Sequence, residues 1–191
     1  MRIVAGQWRG RPIEAPEGRD TRPTTDRMRE SIASMIESAK ALDLTGASIL
    51  DAFAGSGAVG LELLSRGAER CTFVERDRQA LARIKRNVSS LSATASCAVV
   101  AGDVFKRASA GTLAGVPFDV VFLDPPYAYA AERVSELVEG LSSSGMLGDD
   151  AVIVYERSSA APGLELSCAE LSKSKKHGTT CVDLWIHGGV K

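Results

Sequence analysis

The sequence predicts an α/β fold: a mostly parallel sheet covered by helices on both faces, with an antiparallel edge. Three observations predict it. From Ser48 onward, short apolar runs alternate with helical patterns. Several runs, such as Val120-Val121-Phe122-Leu123, are continuously apolar, as strands buried on both faces are. Finally, Gly55-Ser56-Gly57-Ala58-Val59-Gly60 follows the first such run with G-x-G-x-x-G spacing, the signature of a strand, a tight loop and a helix facing a ligand.

The elements follow in order. Arg2–Ala5 and Arg11–Glu14 read as two short strands of a hairpin, turned by Gly6-Gln7-Trp8-Arg9-Gly10; Pro12 limits the return strand to an edge. A first helix starts near Thr24 or Thr25, either a good cap, and carries the apolar stripe Met28, Ile32, Met35, Ile36 and Ala39. Strands are expected at 48–51, 71–75, 96–101, 118–124 and 151–156, with helices at about 57–66, 77–90, 104–113 and 130–141. Residues 164–171 and 180–187 read as a closing antiparallel pair, joined by a basic loop from Lys173 to Gly178.

A chain of 191 residues suits one domain with a small extension. No apolar run reaches the ~18–20 residues of a membrane span, and the N-terminal residues lack the apolar stretch of a secretory signal, so a cytoplasmic protein is expected. Cys71, Cys97, Cys168 and Cys181 form no C-x-x-C pair and have no histidine at ligand spacing. They read as small buried hydrophobes, and no metal is expected. Neither His177 nor His187 has a visible chemical partner. A net charge of −1 argues against a protein that coats nucleic acid nonspecifically. Any polyanion would have to meet local patches, such as the seven arginines among residues 1–30 or the cluster Lys173, Lys175, Lys176 and His177.

In sheets of this type ligands bind beyond the carboxyl ends of the strands. Four successive strands end there in acids: Asp51, Glu75, Asp103 and Asp124. Asp51, with Ala52-Phe53-Ala54 between it and Gly55, would repel a pyrophosphate and suits a ligand with a cationic end. S-adenosylmethionine, with an ammonium, a sulfonium and no phosphate, meets that requirement. Glu75, twenty residues after Gly55, can accept from two ribose hydroxyls, which serves NAD equally. Gly102-Asp103-Val104 can read an adenine through a carboxylate and a backbone N–H. In Asp124-Pro125-Pro126-Tyr127 two prolines fix the backbone. A carboxylate and a carbonyl then stand side by side as acceptors for an NH₂ group, and Tyr127 offers a flat face to a base.

Asp124–Tyr127 together with Asp51–Gly57 resembles the amino-methyltransferases of nucleic-acid bases. Gly6-Gln7-Trp8-Arg9-Gly10-Arg11 and Arg22-Pro23-Thr24-Thr25-Asp26-Arg27-Met28-Arg29-Glu30 narrow the resemblance to the RsmD family, essentially end to end. Departures are mild: Ala5 stands where a second glycine is common, and Tyr127 where phenylalanine is frequent. The resemblance implies a Rossmann-like class I S-adenosylmethionine-dependent methyltransferase fold, with a mostly parallel seven-stranded sheet. Residues 1–20 would be an RNA-binding hairpin extension and 21–191 the methyltransferase domain. It implies methylation of the N2 amine of one guanine in 16S ribosomal RNA, free or in the small subunit, by a monomer without metal or membrane. Asp51, Phe53, Gly55 and Gly57 would then contact the cofactor, the aspartate and glycines at its methionine end. Glu75 would hold the ribose, Asp103 and Val104 the adenine, and Arg22 and Thr24 would border cofactor and substrate. Asp124, Pro125, Pro126 and Tyr127 would hold the target guanine, and Arg2, Trp8, Arg9, Arg11 and Arg27 would grip RNA.

Rival functions remain open at this level. A DNA adenine or cytosine amino-methyltransferase would share Asp124–Tyr127, although the chain has little room for a DNA-reading domain. A protein-glutamine methyltransferase would carry Asn in place of Asp124. Asp51 and the lack of an evident catalytic His or Lys disfavour a dehydrogenase, and a noncatalytic RNA-binding assembly factor would not need the intact motifs.

Overall fold

A computed structural model describes residues 1–16 and 25–188. Its helices are α1 (Asp26–Ala39), α2 (Ala58–Ser65), α3 (Arg78–Ser90), α4 (Val104–Ser109) and α5 (Ala131–Ser143). Its strands are β1 (Ser48–Asp51), β2 (Arg70–Glu75), β3 (Cys97–Ala101), β4 (Phe118–Leu123), β5 (Leu147–Ser158), β6 (Ala169–His177) and β7 (Thr180–His187). They form one seven-stranded sheet of order β3-β2-β1-β4-β5-β7-β6, parallel from β3 to β5, with β7 antiparallel to both β5 and β6.

Strand periodicity divides the core. Ile49, Val120, Phe122, Val152 and Val154 pack under α1, α2 and α3; Leu50, Val121, Leu123, Ile153 and Tyr155 pack under α4 and α5. Both faces of these strands are therefore apolar, which is why the sequence shows runs instead of alternation. The chain goes outward from β1 to β2 and β3, then returns to place β4 on the other side of β1. Asp51, at the end of β1, and Asp124, just past β4, thus flank the point where the winding reverses, the place where such sheets bind ligands.

Three expectations need correction. The Lys173–Gly178 stretch is not a loop: β6 pairs with β7 as far as His177 with Thr180, and the turn is Gly178-Thr179. Its Ser and Lys residues lack apolar character because β6 is an edge strand, where lysine discourages further pairing. Residues 164–168 precede β6 and are not strand; the N–H groups of Ser167 and Cys168 donate to the Glu139 carboxylate on α5. In the N-terminal segment no two extended strands form. Arg2 and Pro12 make a single antiparallel bridge, supported by N–H donation from Ile3 to Arg11 and from Ile13 to Met1. The backbone groups that a longer ladder would use are taken by α2 instead. Glu62 accepts from the N–H of Val4 (2.8 Å) and Ala5 (3.0 Å), and Ser65 Oγ accepts from that of Trp8 (3.0 Å). Ile3 and Ile13 lie in the same core as α1, α2 and α3. The expected boundary at residue 20 falls outside the described residues.

Glu62 is fully buried and also accepts from Arg66 Nε at 3.0 Å, while Arg66 reaches Glu37 at 2.8 Å. Glu62→Ala leaves the buried Arg66 Nε and two backbone N–H groups without their acceptor, although Arg66 keeps Glu37. It should cost about 3–5 kcal/mol, read as a lower denaturant midpoint; Glu62→Gln, which keeps one acceptor, should lose less. Asn87 on α3 ties the same segment to the glycine loop. Its amide donates to the carbonyls of Ser56 (3.0 Å) and Glu14 (3.2 Å), and its oxygen accepts from Glu14 N–H (2.7 Å).

Candidate active site

The carboxyl ends of the parallel strands open into a cleft of about 920 Å³. Its walls include Asp51, Phe53, Gly55, Glu75, Asp103, Val104 and Asp124–Tyr127. The pairing of β1 runs on past the strand: Ala52 N–H donates to Phe122 and Ala54 N–H to Val74. This pins the first half of the glycine loop. Gly55 (φ 54°) faces open space where a side chain would stand, as backbone that a ligand must approach closely should. Gly57 shapes the turn as the left-handed cap of α2 and is not on the cleft wall. Gly60 is a packing glycine, because a Cβ there would lie 2.4 Å from Phe73 and 2.6 Å from Cys71 Sγ.

The acids differ in surroundings. Asp51 is buried, and among the described residues its Oδ2 accepts one backbone N–H, from Gly60 at 3.2 Å. Burial pushes its carboxyl up to about 7; the Gly60 bond opposes this, and the charges of Asp124 and Glu75 add to it. Asp124 is open to the solvent of the cleft, but protein crowds its carboxyl on the remaining sides and lifts it to about 6. Glu75 is held by backbone donors: Gly55 N–H at 2.8 Å on one oxygen, and Arg76 (2.7 Å) and Asp77 (2.8 Å) on the other. The oxygen that accepts from Gly55 has a second lone pair to offer; both lone pairs of the other are taken. Asp103 caps α4 through one oxygen, accepting from Phe105 N–H at 2.9 Å. Its second oxygen has no such duty.

Asp51, Asp124 and Glu75 thus repel one another across one cleft, an arrangement that a cationic ligand relieves. Beside them Phe53, Phe105 and Tyr129 form an aromatic group with ring centroids 5.2–6.1 Å apart. Arg133 lies 4.6 Å over Phe105, and Arg76 donates to Tyr129 Oη at 3.0 Å.

Residues 1–186 match the family model described as Conserved hypothetical protein 95. Ribosomal RNA small subunit methyltransferase D of Escherichia coli K12 is 38% identical over 156 residues, covering 82% of this chain and 74% of that protein. The chain belongs to the RsmD family. The solved structure of yhhF from Escherichia coli superposes with a TM-score of 0.80 at 31% identity, over 98% of this chain and 97% of that one. An RNA methyltransferase from Salinibacter ruber, solved with S-adenosyl-L-homocysteine, shares the fold at 12% identity (TM-score 0.61, 84% and 92% covered). The fold is that of the class I S-adenosylmethionine-dependent methyltransferases.

Measured against the RsmD motifs, most of the residues singled out from sequence meet at the cleft. Of the basic set, Arg27 lines its mouth. Arg2, Trp8, Arg9 and Arg11 are not on its walls. Arg2 pairs with Asp26 at 3.2 Å, Arg11 donates to the Ser90 carbonyl, and Trp8 is half-buried against the core, while Arg9 is exposed. Arg22 and Thr24 lie outside the described residues. Sequence reasoning missed Glu156 and Arg157 near the end of β5, Phe105 and Tyr129; His177, read only as part of a basic patch, also lines the cleft. Glu156 was within reach, since the strand-end rule that singled out Asp51 and Asp124 extends to the fifth strand. His177 Nε2 meets Ser31 Oγ at 3.2 Å, whereas His187 is tied to Gly148 and Ser142 and is structural. Among the described residues no helix is long and apolar enough to cross a membrane.

Proposed function

We propose that this chain transfers a methyl group from S-adenosylmethionine to the exocyclic N2 amine of a guanine in 16S ribosomal RNA. The observation that carries this reading is the meeting of Asp51 and Asp124 in one cleft where the sheet winding reverses: Asp51 pairs with Phe122, two residues before Asp124, and the Asp124 charge acts on it. One acid suits a cationic methyl donor, and the other suits an amine. The RsmD relatives' names supply the RNA class.

The cofactor is S-adenosylmethionine, and the residues present fit it. Asp51 attracts the cationic methionine end, Gly55 leaves room for close backbone contact, Glu75 offers the remaining lone pair of its Gly55-bound oxygen to the ribose, and the free oxygen of Asp103 takes the adenine amine. Phe53 and Phe105 wall the base. S-adenosylmethionine supplies a methyl group activated by a sulfonium sulfur. Asp124 and the Pro125 carbonyl accept the two amine protons and favour the tetrahedral nitrogen that attacks. Asp124, ionised above pH 6, stabilises the positive charge that grows on nitrogen and takes the proton that leaves. A stacked base cannot reach this cleft, so the guanine is unpaired or flipped. Arg27 at the mouth, with Arg2, Trp8, Arg9 and Arg11 on the N-terminal segment, faces the RNA backbone.

Tyr127 stands on the rim, 90% exposed, where an unstacked base would meet it. Tyr127→Ala should remove about 1–3 kcal/mol of base stacking, raising KM for RNA at least about fivefold with the Kd for S-adenosylmethionine unchanged. The reading as a whole is tested by labelled methyl transfer to naked ribosomal RNA, small subunits and DNA, followed by nucleoside analysis. N2-methylguanosine from ribosomal material is the expected product; N6-methyladenine in DNA overturns the reading.

A further inference from the structure

The register of β4 on β5 pairs Phe122 with Val154 and Leu123 with Tyr155. Continued by one position, it sets Asp124 opposite Glu156 on the same face of the sheet, where side chains of facing residues touch. Two carboxylates placed so repel each other, and no lysine or arginine of the described residues forms an ion pair with either. Glu156 lines the cleft, and among the described residues no donor meets its carboxylate; Oε2 is sealed from solvent, while Oε1 is not. Buried polar atoms are nearly always partnered. This carboxylate has no donor among the described residues, and Oε1 is the oxygen that a donor on the ligand can reach.

The topology says which part of the ligand that is. Phe53, Glu75 and Asp103 lie toward β1, β2 and β3, on one side of Asp124; β5 lies on the other. Glu156 therefore faces the base, beside the amine held by Asp124. The position next to the reactive amine separates the nucleobases. In guanine one neighbour of the 2-amine is N1–H, a donor. In adenine the 6-amine has the acceptors N1 and N7 on its two sides, and in cytosine the 4-amine has the acceptor N3 and a carbon.

We propose that Glu156 is a specificity-determining residue, which accepts a hydrogen bond from guanine N1–H and so selects guanine over bases whose amine is flanked by acceptors. This rests on the reading that the cleft methylates a guanine amine. It also accounts for the burial of a second acid beside Asp124. Burial and the Asp124 charge raise the Glu156 carboxyl to about 8, and a donor from the base offsets that cost.

The test replaces the target guanosine, in the RNA identified by the methyl-transfer assay, with 2-aminopurine riboside. This base keeps the 2-amine but carries an acceptor at N1. Above pH 8, where the Glu156 carboxyl is ionised, wild-type protein should prefer guanine by at least about 10²-fold in kcat/KM, because an acceptor set against an acceptor leaves a buried group unpaired. In Glu156→Gln, whose amide can also donate, and in Glu156→Ala, the preference should fall to within about tenfold, and S-adenosylmethionine binding should report intact folding. Should Glu156→Ala fail to fold, the isosteric Gln variant decides alone. If the variants keep the wild-type preference, Glu156 does not read the base and the inference is overturned, while the guanine-methylation reading stands. If wild-type protein makes no N2-methylguanosine in any ribosomal substrate, the parent reading fails instead.

Discussion

Asp124→Ala lowers kcat by at least about 10²–10³-fold, the value of one preorganised acceptor for developing charge, while the Kd for S-adenosylmethionine stays within about threefold. The two effects separate because Asp124 faces the substrate amine, whereas the residues suited to the cofactor belong to β1, β2 and the turn after β3. Asp124→Asn should be nearly as inactive. It retains an oxygen acceptor but neither carries the charge that stabilises a cationic nitrogen nor takes its proton. Wild-type activity should also depend on pH in a defined direction. Burial raises Asp124 to about 6, so the ionised form is lost as pH falls through 6, and kcat should drop about tenfold per unit below that point. An unshifted aspartate would hold the rate down to about pH 4. Because Asp124 and Glu156 sense one another, the lower of the two proton losses of the pair governs the rate. A profile flat to pH 5, or an alanine variant with wild-type turnover, contradicts the role given to Asp124.

Asp51→Asn should raise the Kd for S-adenosylmethionine by roughly 10²-fold or more, since breaking a buried charge pair costs about 2–5 kcal/mol. The same substitution should stabilise the free protein. The Asp51 carboxyl sits near 7 in the fold against about 3.9 in an unfolded chain. The sign follows from linkage. Below about pH 4 both states hold the proton and burial carries no charge penalty; as pH rises from 4 to 7 the penalty grows, and above 7 it is complete, of order a few kcal/mol. Asparagine carries no such penalty and can still accept from Gly60 N–H. The expected outcome is a higher Tm than wild type at pH 8, no gain at pH 4, and lost cofactor binding at both. A variant that binds cofactor normally would remove Asp51 from the cofactor site. Equal Tm values at pH 8 would mean that the aspartate is solvated in the free protein.

Much of this molecule is legible in one dimension. The apolar runs of β1, β4 and β5 and the cap at Thr25 mark strands and a helix without ambiguity, because burial on both faces and helix capping are local demands. Asp51, Glu75, Asp103 and Asp124 group together on spacing alone, since strand ends in a parallel sheet share one rim. Other features needed long-range contact. Residues 173–177 look like a loop until β7 is beside them, because an exposed edge strand asks for backbone pairing and not for apolar side chains. The N-terminal segment reads as a free hairpin, yet Glu62, some sixty residues away, takes the N–H groups that would have extended it.

Fold class, the rim of acids and the family are written in the chain itself, because all three rest on short motifs and periodicity. Which acids face each other is a product of packing. Asp51 lies beside Asp124 only because the chain returns to the far side of β1, and Asp124 faces Glu156 only through the register of β4 on β5. Sequence spacing carries no trace of that register. Burial and mutual repulsion, which set how each carboxyl holds its proton, arise once the strands are side by side.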